Sequence, residues 1–265
     1  MQSQPPPVLP RPFELAARPE WRAIDLVSDL HLCDALPKTF AAFSRYLADT
    51  TADAVLILGD LFEVWVGDDM ADQGFEQDCV AMLARMAQRR TLGFMVGNRD
   101  FLAGPALCER AGFLHLPDPT LLDAWGQRLL LSHGDALCLS DAPYQAFRAE
   151  VRSAPWQTAF LSKPLAQRLQ IAAEIRRASK TRRQFDGAMD ADLDTPETLR
   201  WLAEAGSTTL LHGHTHRPAD HTLPDGAARH VLSDWDLDHA SRAEVLRITP
   251  SGIERLSPSQ ACAAP

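Results

Sequence analysis

The sequence predicts an α/β protein on three observations. Short apolar runs of strand length alternate with stretches of helical spacing, five of these runs stop at a polar residue or a glycine, and residues 143–187 read as helices alone. The first run, Ala23 to Ser28, stops at Asp29-Leu30-His31, and helical spacing follows from Phe40 to Leu47. Ala54 to Leu58 is a continuous apolar run, the pattern of a strand covered on both faces, and breaks at Gly59-Asp60. Phe75 to Arg90 places Val80, Leu83, Met86 and Ala87 along one helical side, then Leu92 to Val96 leads into Gly97-Asn98-Arg99-Asp100. Leu129 to Leu131 delivers Ser132-His133-Gly134-Asp135, and Thr208 to Leu211 delivers His212, His214 and His216. Five ends are thus expected on one edge of the sheet system, where open α/β folds place their chemistry.

The remaining segments set the domain plan. Residues 1–20, with Pro5, Pro6, Pro7, Pro10 and Pro12, are expected to form a mobile arm outside the fold, because proline is excluded from sheet and helix interiors. The core is expected over 21–142 and 188–257, a helical cap insertion over 143–187 and a flexible tail over 258–265. Thr195-Pro196-Glu197 opens a short helix. Arg229 to Ser233, Glu244 to Ile248 and Ile253 to Leu256 read as short strands at the far edge of a mixed sheet.

Composition narrows the function. With 46% hydrophobic and 23% charged residues over 265 positions, the chain can bury a sizeable core. It lacks an apolar run of spanning length and an N-terminal signal pattern, so a cytoplasmic location is expected. A net charge of −9 argues against general nucleic-acid binding. The five cysteines are scattered and read as reduced thiols.

Asp29, His31, Asp60, Asn98, His133, His214 and His216 form a donor set of oxygens and nitrogens without thiolate, suited to Mn²⁺, Fe²⁺ or Zn²⁺. Seven donors exceed one tetrahedral ion's needs, and two ions sharing a carboxylate would use them economically in phosphoryl chemistry. Each residue alone has a simpler explanation as a cap, turn or core residue, and the common context at strand ends carries the inference. His115, His221, His230 and His239 lack that context, and His212 reads as a supporting residue.

Asp-x-His at 29–31, Gly-Asp at 59–60, Gly-Asn-Arg-Asp at 97–100, Ser-His-Gly-Asp at 132–135 and Gly-His-Thr-His at 213–216 resemble the motif set of the calcineurin-like metallophosphoesterases over roughly residues 24–218. The resemblance implies a two-sheet α/β sandwich flanked by helices, with a dinuclear site at its edge. It assigns one ion to Asp29, His31, Asp60 and His216, the other to Asp60, Asn98, His133 and His214, with Asp60 as bridge. The flanks Leu61-Phe62-Glu63-Val64-Trp65, Gly67-Asp68-Asp69, Phe101, Asp141, Tyr144 and Phe147-Arg148 resemble the branch of that family acting on a lipid-linked sugar nucleotide. That likeness implies water attack at the α-phosphorus, release of UMP and the sugar 1-phosphate, and Mn²⁺ as cofactor. The apolar residues of the insertion, with the basic cluster Arg176, Arg177, Lys180, Arg182 and Arg183, are expected to dock the protein peripherally on the inner membrane, and no obligate protein partner is evident. The likeness gives catalytic roles to Asp60, Asn98 and Arg99, and substrate contacts to Asn98, Arg99, Asp141, Tyr144, Ser179, Lys180 and His214. Asp192 stands where that branch has asparagine. Rival readings are a soluble nucleotide or dinucleoside polyphosphate hydrolase and a catalytically silent scaffold of the same fold. In the insertion, Phe147, Val151, Trp156, Phe160, Leu161, Leu165, Leu169 and Ile171 either form the cap's own core or line a groove for acyl chains.

Overall fold

The computed structural model describes residues 11–185 and 191–263, the side chains of 179–185 excepted. Two six-stranded sheets face each other. The first runs β1 (Phe13–Ala16), β6 (Thr120–Ala124), β7 (Gln127–Ser132), β8 (Thr209–His212), β10 (Ala228–Val231), β9 (Ala219–Thr222). The second runs β12 (Gly252–Leu256), β11 (Val245–Thr249), β2 (Ile24–Val27), β3 (Ala54–Leu58), β4 (Thr91–Met95), β5 (Phe113–His115). In the second sheet β2 to β5 are parallel and β11 joins antiparallel; the first is mixed, with β7, β8 and β10 parallel.

Strand β3 shows why the sandwich forms. All five of its residues are buried, and because side chains alternate, Ala54, Leu56 and Leu58 enter the core between the sheets while Val55 and Ile57 enter the core beneath the helices. The inter-sheet core joins Leu26, Met95, Leu122, Leu131, Leu211 and Leu246 from both sheets. The outer core lies under α1 (Pro37–Asp49), α2 (Gly74–Ala87) and α3 (Pro105–Ala111), while α7 (Thr195–Ala205) covers the first sheet through Trp201 and Leu202.

The described residues of the insertion form three helices, α4 (Ala142–Val151), α5 (Ala154–Leu161) and α6 (Leu165–Phe185). Its apolar residues divide. Val151 and Phe160 are buried, Leu165 and Ile171 pack against the outer core, and Leu161 and Leu169 are exposed at 42% and 36%.

Three expectations are corrected. Residues 1–20 are not an arm throughout, because Phe13–Ala16 pairs in parallel with Thr120–Asp123 as an edge strand; residues 1–10, with the first four prolines of the run, lie outside the described residues. The segment 258–265 is not a free tail up to Ala263: Ser257 and Gln260 close a capping box on α8 (Pro258–Ala261), and the Ala261 carbonyl accepts from Arg247 at 2.8 Å. The strand near 229 does not share an edge with those near 245 and 253: β10 sits inside the first sheet, whereas β11 and β12 form the expected hairpin at the edge of the second.

Candidate dinuclear metal centre

The site lies where β2, β3 and β4 of the second sheet end opposite β7 and β8 of the first. Asp29, His31, Asp60, His214 and His216 have φ between 48° and 68°, and among the described non-glycine residues only Trp125 and Asp225 share that left-handed conformation. Such backbone costs about 1–3 kcal/mol per residue and persists where the surroundings impose it, as at functional sites. Two glycines permit the crowding. A Cβ on Gly97 would collide with the Asp60 backbone nitrogen and carboxylate, and one on Gly213 with the side chains of Ser28 and Asp29.

The seven predicted donors meet in two groups. In one, His216 Nε2 is 3.2 Å from Asp29 Oδ1 and 3.2 Å from His31 Nε2, which is 3.9 Å from Asp60 Oδ2. In the other, Asn98 Oδ1 is 2.9 Å from His133 Nε2 and 2.8 Å from His214 Nδ1, and His133 Nε2 is 3.6 Å from Asp60 Oδ1. Asp60 thus turns one carboxylate oxygen to each group.

Supporting contacts fix these orientations. His133 Nδ1 lies 2.9 Å from the Leu58 carbonyl, which leaves its Nε2 facing the site. Asp29 Oδ2 accepts from Ser28 Oγ and from the His214 amide at 2.9 Å. The Arg99 amide donates to Asp60 Oδ1 at 2.8 Å. Buried Asp100 accepts from the Gly97 and Leu61 amides at 2.7 and 2.8 Å, tying the loops after β3 and β4 together. Glu63 sits with Oε2 3.0 Å from His31 Nδ1 and its other oxygen against Arg176 of the cap.

The donor chemistry suits divalent cations. Asp29 Oδ1 is buried and faces the ring nitrogens of His216 at 3.2 Å and His31 at 3.9 Å, an arrangement that costs free energy unless a ring is protonated or a cation lies between them. Burial would raise the Asp29 carboxyl, yet hydrogen bonding to His216 and the nearby His133, His216 and His31 hold it well below the usual range. Burial opposes protonation of His133, but Asp60, Asp29 and Asp135 raise it to about 9; metal would take that proton's place. Burial and neighbouring His133 push His214 down to about 4, leaving it neutral. Burial and Asp60 raise Asp100 to about 7.

The proposed substrate contacts fare differently. Asp141 caps α4 by accepting from the Tyr144 amide at 3.0 Å. The Tyr144 hydroxyl donates to Asp135 Oδ2 at 2.6 Å, and its ring stacks on His214 with centroids 6.0 Å apart. Ser179 and Lys180 fall in the last turns of α6, their side chains outside the described residues. Asp192 receives both terminal nitrogens of Arg229, at 2.9 and 3.1 Å, so a carboxylate there is neutralised. His212 is fully buried with Nδ1 2.8 Å from the Gly213 carbonyl, outside both donor groups.

Sequence reasoning missed the buried Asp135, which holds Tyr144, Arg148 at 2.8 Å and Arg152 at 3.4 Å. Arg152 also donates to the Gly97 carbonyl at 3.0 Å, beside Asn98. The i, i+4, i+8 spacing of 144, 148 and 152 on one helical face was the available signal. Glu63 and Asp100 had none beyond their place in loops that already carried ligands.

The profile of the calcineurin-like phosphoesterases matches residues 23–218. A protein of Chromobacterium violaceum named UDP-2,3-diacylglucosamine hydrolase is 46% identical over 241 residues, 88% of this chain and 98% of that protein. One of the same name from Aromatoleum aromaticum is 47% identical over 221 residues, 80% and 89% of the two chains. A solved archaeal phosphodiesterase covers 88% of this chain and 98% of its own at 11% identity and a TM-score of 0.46. With its seven donors gathered between two sheets and a profile match across the whole of that region, the chain belongs to the calcineurin-like phosphoesterase family.

Proposed function

We propose that the chain is a metal-dependent hydrolase that cleaves the pyrophosphate bond of UDP-2,3-diacylglucosamine by water attack at the α-phosphorus, releasing UMP and 2,3-diacylglucosamine 1-phosphate for lipid A biosynthesis. The substrate's name comes from the relatives described above; the observation within this molecule that supports it is a cavity of about 330 Å³ in the cap. Phe147, Val151, Trp156, Phe160, Ile171 and Ile175 line it. The lining is mainly apolar, and a soluble nucleotide requires no such surface, whereas each buried CH₂ of an acyl chain contributes about 0.8 kcal/mol. Trp156 and Phe160 stack with centroids 4.6 Å apart and give the cavity a flat aromatic wall.

Two divalent ions, Mn²⁺ in this reading, would be held by the two donor groups and would supply charge for the phosphoryl oxygens and an activated water. The chain itself does the rest. Asp60, Asn98 and His214 fix the donor geometry, and Arg99, whose backbone is bonded to Asp60, offers a guanidinium to the developing charge. The cap holds the diacyl half so that the diphosphate rests over the donors, converting remote binding into positioning. Asp141, Tyr144, Ser179 and Lys180 would shape the sugar end.

None of the described helices is long and apolar enough to cross a membrane. Exposed Leu161 and Leu169 on the cap support reversible docking on the inner-membrane surface where the substrate resides. The test is incubation with Mn²⁺ and UDP-2,3-diacylglucosamine beside UDP-glucose, a dinucleoside polyphosphate and bis-p-nitrophenyl phosphate, with the products identified. Preferred cleavage of the dinucleoside polyphosphate would replace this reading with the nucleotide hydrolase, and absence of all turnover with metals bound would point to a silent scaffold.

A further inference from the structure

A second cavity, of about 200 Å³, lies beside the donor cluster, against β9 and β10 of the first sheet, and shares no lining residue with the cavity of the cap. It is smaller than pockets that take drug-sized ligands, and suits one fragment of a larger substrate. Its wall begins one residue from the donors, because Thr215, between His214 and His216, lines it together with Asp192, Arg217, His221 and Arg229. Two polar atoms of this lining are buried without hydrogen-bond partners among the described residues: Thr215 Oγ1 and Arg229 Nε. Buried groups of this kind are rare in finished structures and mark places where a ligand or water completes the bonding.

The charge balance tells which ligand. Arg229 is only 6% exposed and is neutralised by the two-pronged contact with Asp192, so the lining is a mixture of donors and a carboxylate acceptor rather than an anion trap. A neutral, flat fragment rich in carbonyls, with an N–H and a vicinal diol, matches that mixture better than a second phosphate. The diphosphate, if held over the donors, has two ends, and the apolar cavity of the cap takes the acylated one.

From this juxtaposition we infer that the cavity at Thr215, Asp192 and Arg229 is the nucleoside subsite, receiving the pyrimidine nucleoside end of the substrate while the cap receives the lipid end. The inference rests on the substrate reading given above. It gives the two products separate exits, the nucleotide leaving from the first sheet and the lipid from the cap.

Binding of UMP and of inorganic phosphate to the Mn²⁺-loaded enzyme tests it. Thr215→Val deletes a hydroxyl that bonds to none of the described residues, a near-isosteric change with little cost to the fold. Ala219→Leu, on β9 and away from the histidine turn, fills the same cavity. Expected is a rise of about tenfold in the UMP dissociation constant for each variant, the scale of one hydrogen bond lost, with phosphate binding unchanged. UMP affinity indifferent to both variants, or falling in step with that for phosphate, would overturn the subsite. Failure of the wild-type protein to cleave UDP-2,3-diacylglucosamine would instead strike the substrate reading, so the two can be told apart.

Discussion

The rim that gathers the seven donors and the helical cap beside it are held in place by different means. On the rim, position is imposed by main chain: five donors sit in left-handed backbone, amides of Arg99 and His214 grip the carboxylates of Asp60 and Asp29, and Gly97 and Gly213 leave no room for a side chain. The cap is held by side chains. Arg168 reaches from α6 to the Val66 carbonyl and to Asp69, and Arg148 and Arg152 reach from α4 to Asp135. Main-chain restraint leaves the donors little freedom, whereas the cap depends on side-chain ion pairs and on the packing of Phe160, Leu165 and Ile171 against the outer core.

The hardest test of the rim is Asp60→Ala, which removes an oxygen from each donor group. Turnover is expected to fall by about 10³-fold or more and the bound metal to drop below two ions per chain, read by elemental mass spectrometry. Two tightly held ions with near-normal rates would sink the dinuclear reading. Arg99→Ala separates charge stabilisation from metal binding: a loss of about 10²–10³ in kcat is expected with metal content intact. If only metal affinity suffers, the guanidinium is a structural prop.

The cap is probed by Phe147→Glu, which sets a charge in the apolar cavity. Relative to bis-p-nitrophenyl phosphate, kcat/KM for the diacylated substrate should fall about 10²-fold, the worth of a few buried methylenes. Equal losses on both substrates with a lowered Tm would make the cavity part of the cap's own core.

Asp135 connects the two regions and yields a pH signature. Burial would raise its carboxyl, but Arg152 and Arg148 hold it well below the ordinary value. A depressed folded-state pKa contributes stability above the unfolded value near 3.9, and that contribution fades as pH falls through the folded value. Asp135→Asn is therefore expected to cost about 2 kcal/mol at pH 7, a figure moderated by the partial exposure of both arginines, with the gap from wild type narrowing below about pH 4. A gap independent of pH in denaturant titrations would show that packing, and not the ion pairs, ties α4 down.

Legibility in the sequence followed burial. Strand β3 was read to the residue because both its faces are covered and nothing polar interrupts it. The donor positions were visible since each follows such a strand, and the structure draws all seven together; their spatial partition into two groups came from family resemblance. Edge elements escaped. Strand β9, Ala-Asp-His-Thr, is largely exposed and carries no apolar period, and β5 has three residues. Helix α8 is held by its capping box and by an Arg247 that also pairs with buried Asp25, a tertiary arrangement without local signal. Asp135 was quoted as part of a motif, but its partners Tyr144, Arg148 and Arg152 lie in the stretch expected to be the cap.

The edge strand formed by Phe13–Ala16 bears on how this protein behaves when shortened. It covers the outer side of Thr120–Asp123, whose Leu121 and Leu122 are buried at 2% and 0%. A chain trimmed to residue 21 would leave that row of amides and carbonyls open, next to apolar side chains, and an open row of this sort is a template for pairing with another molecule. Trimming the short N-terminal strand therefore exchanges a four-residue edge for the edge of a strand with buried apolar neighbours, and light scattering is expected to report more self-association for the trimmed protein than for the full chain.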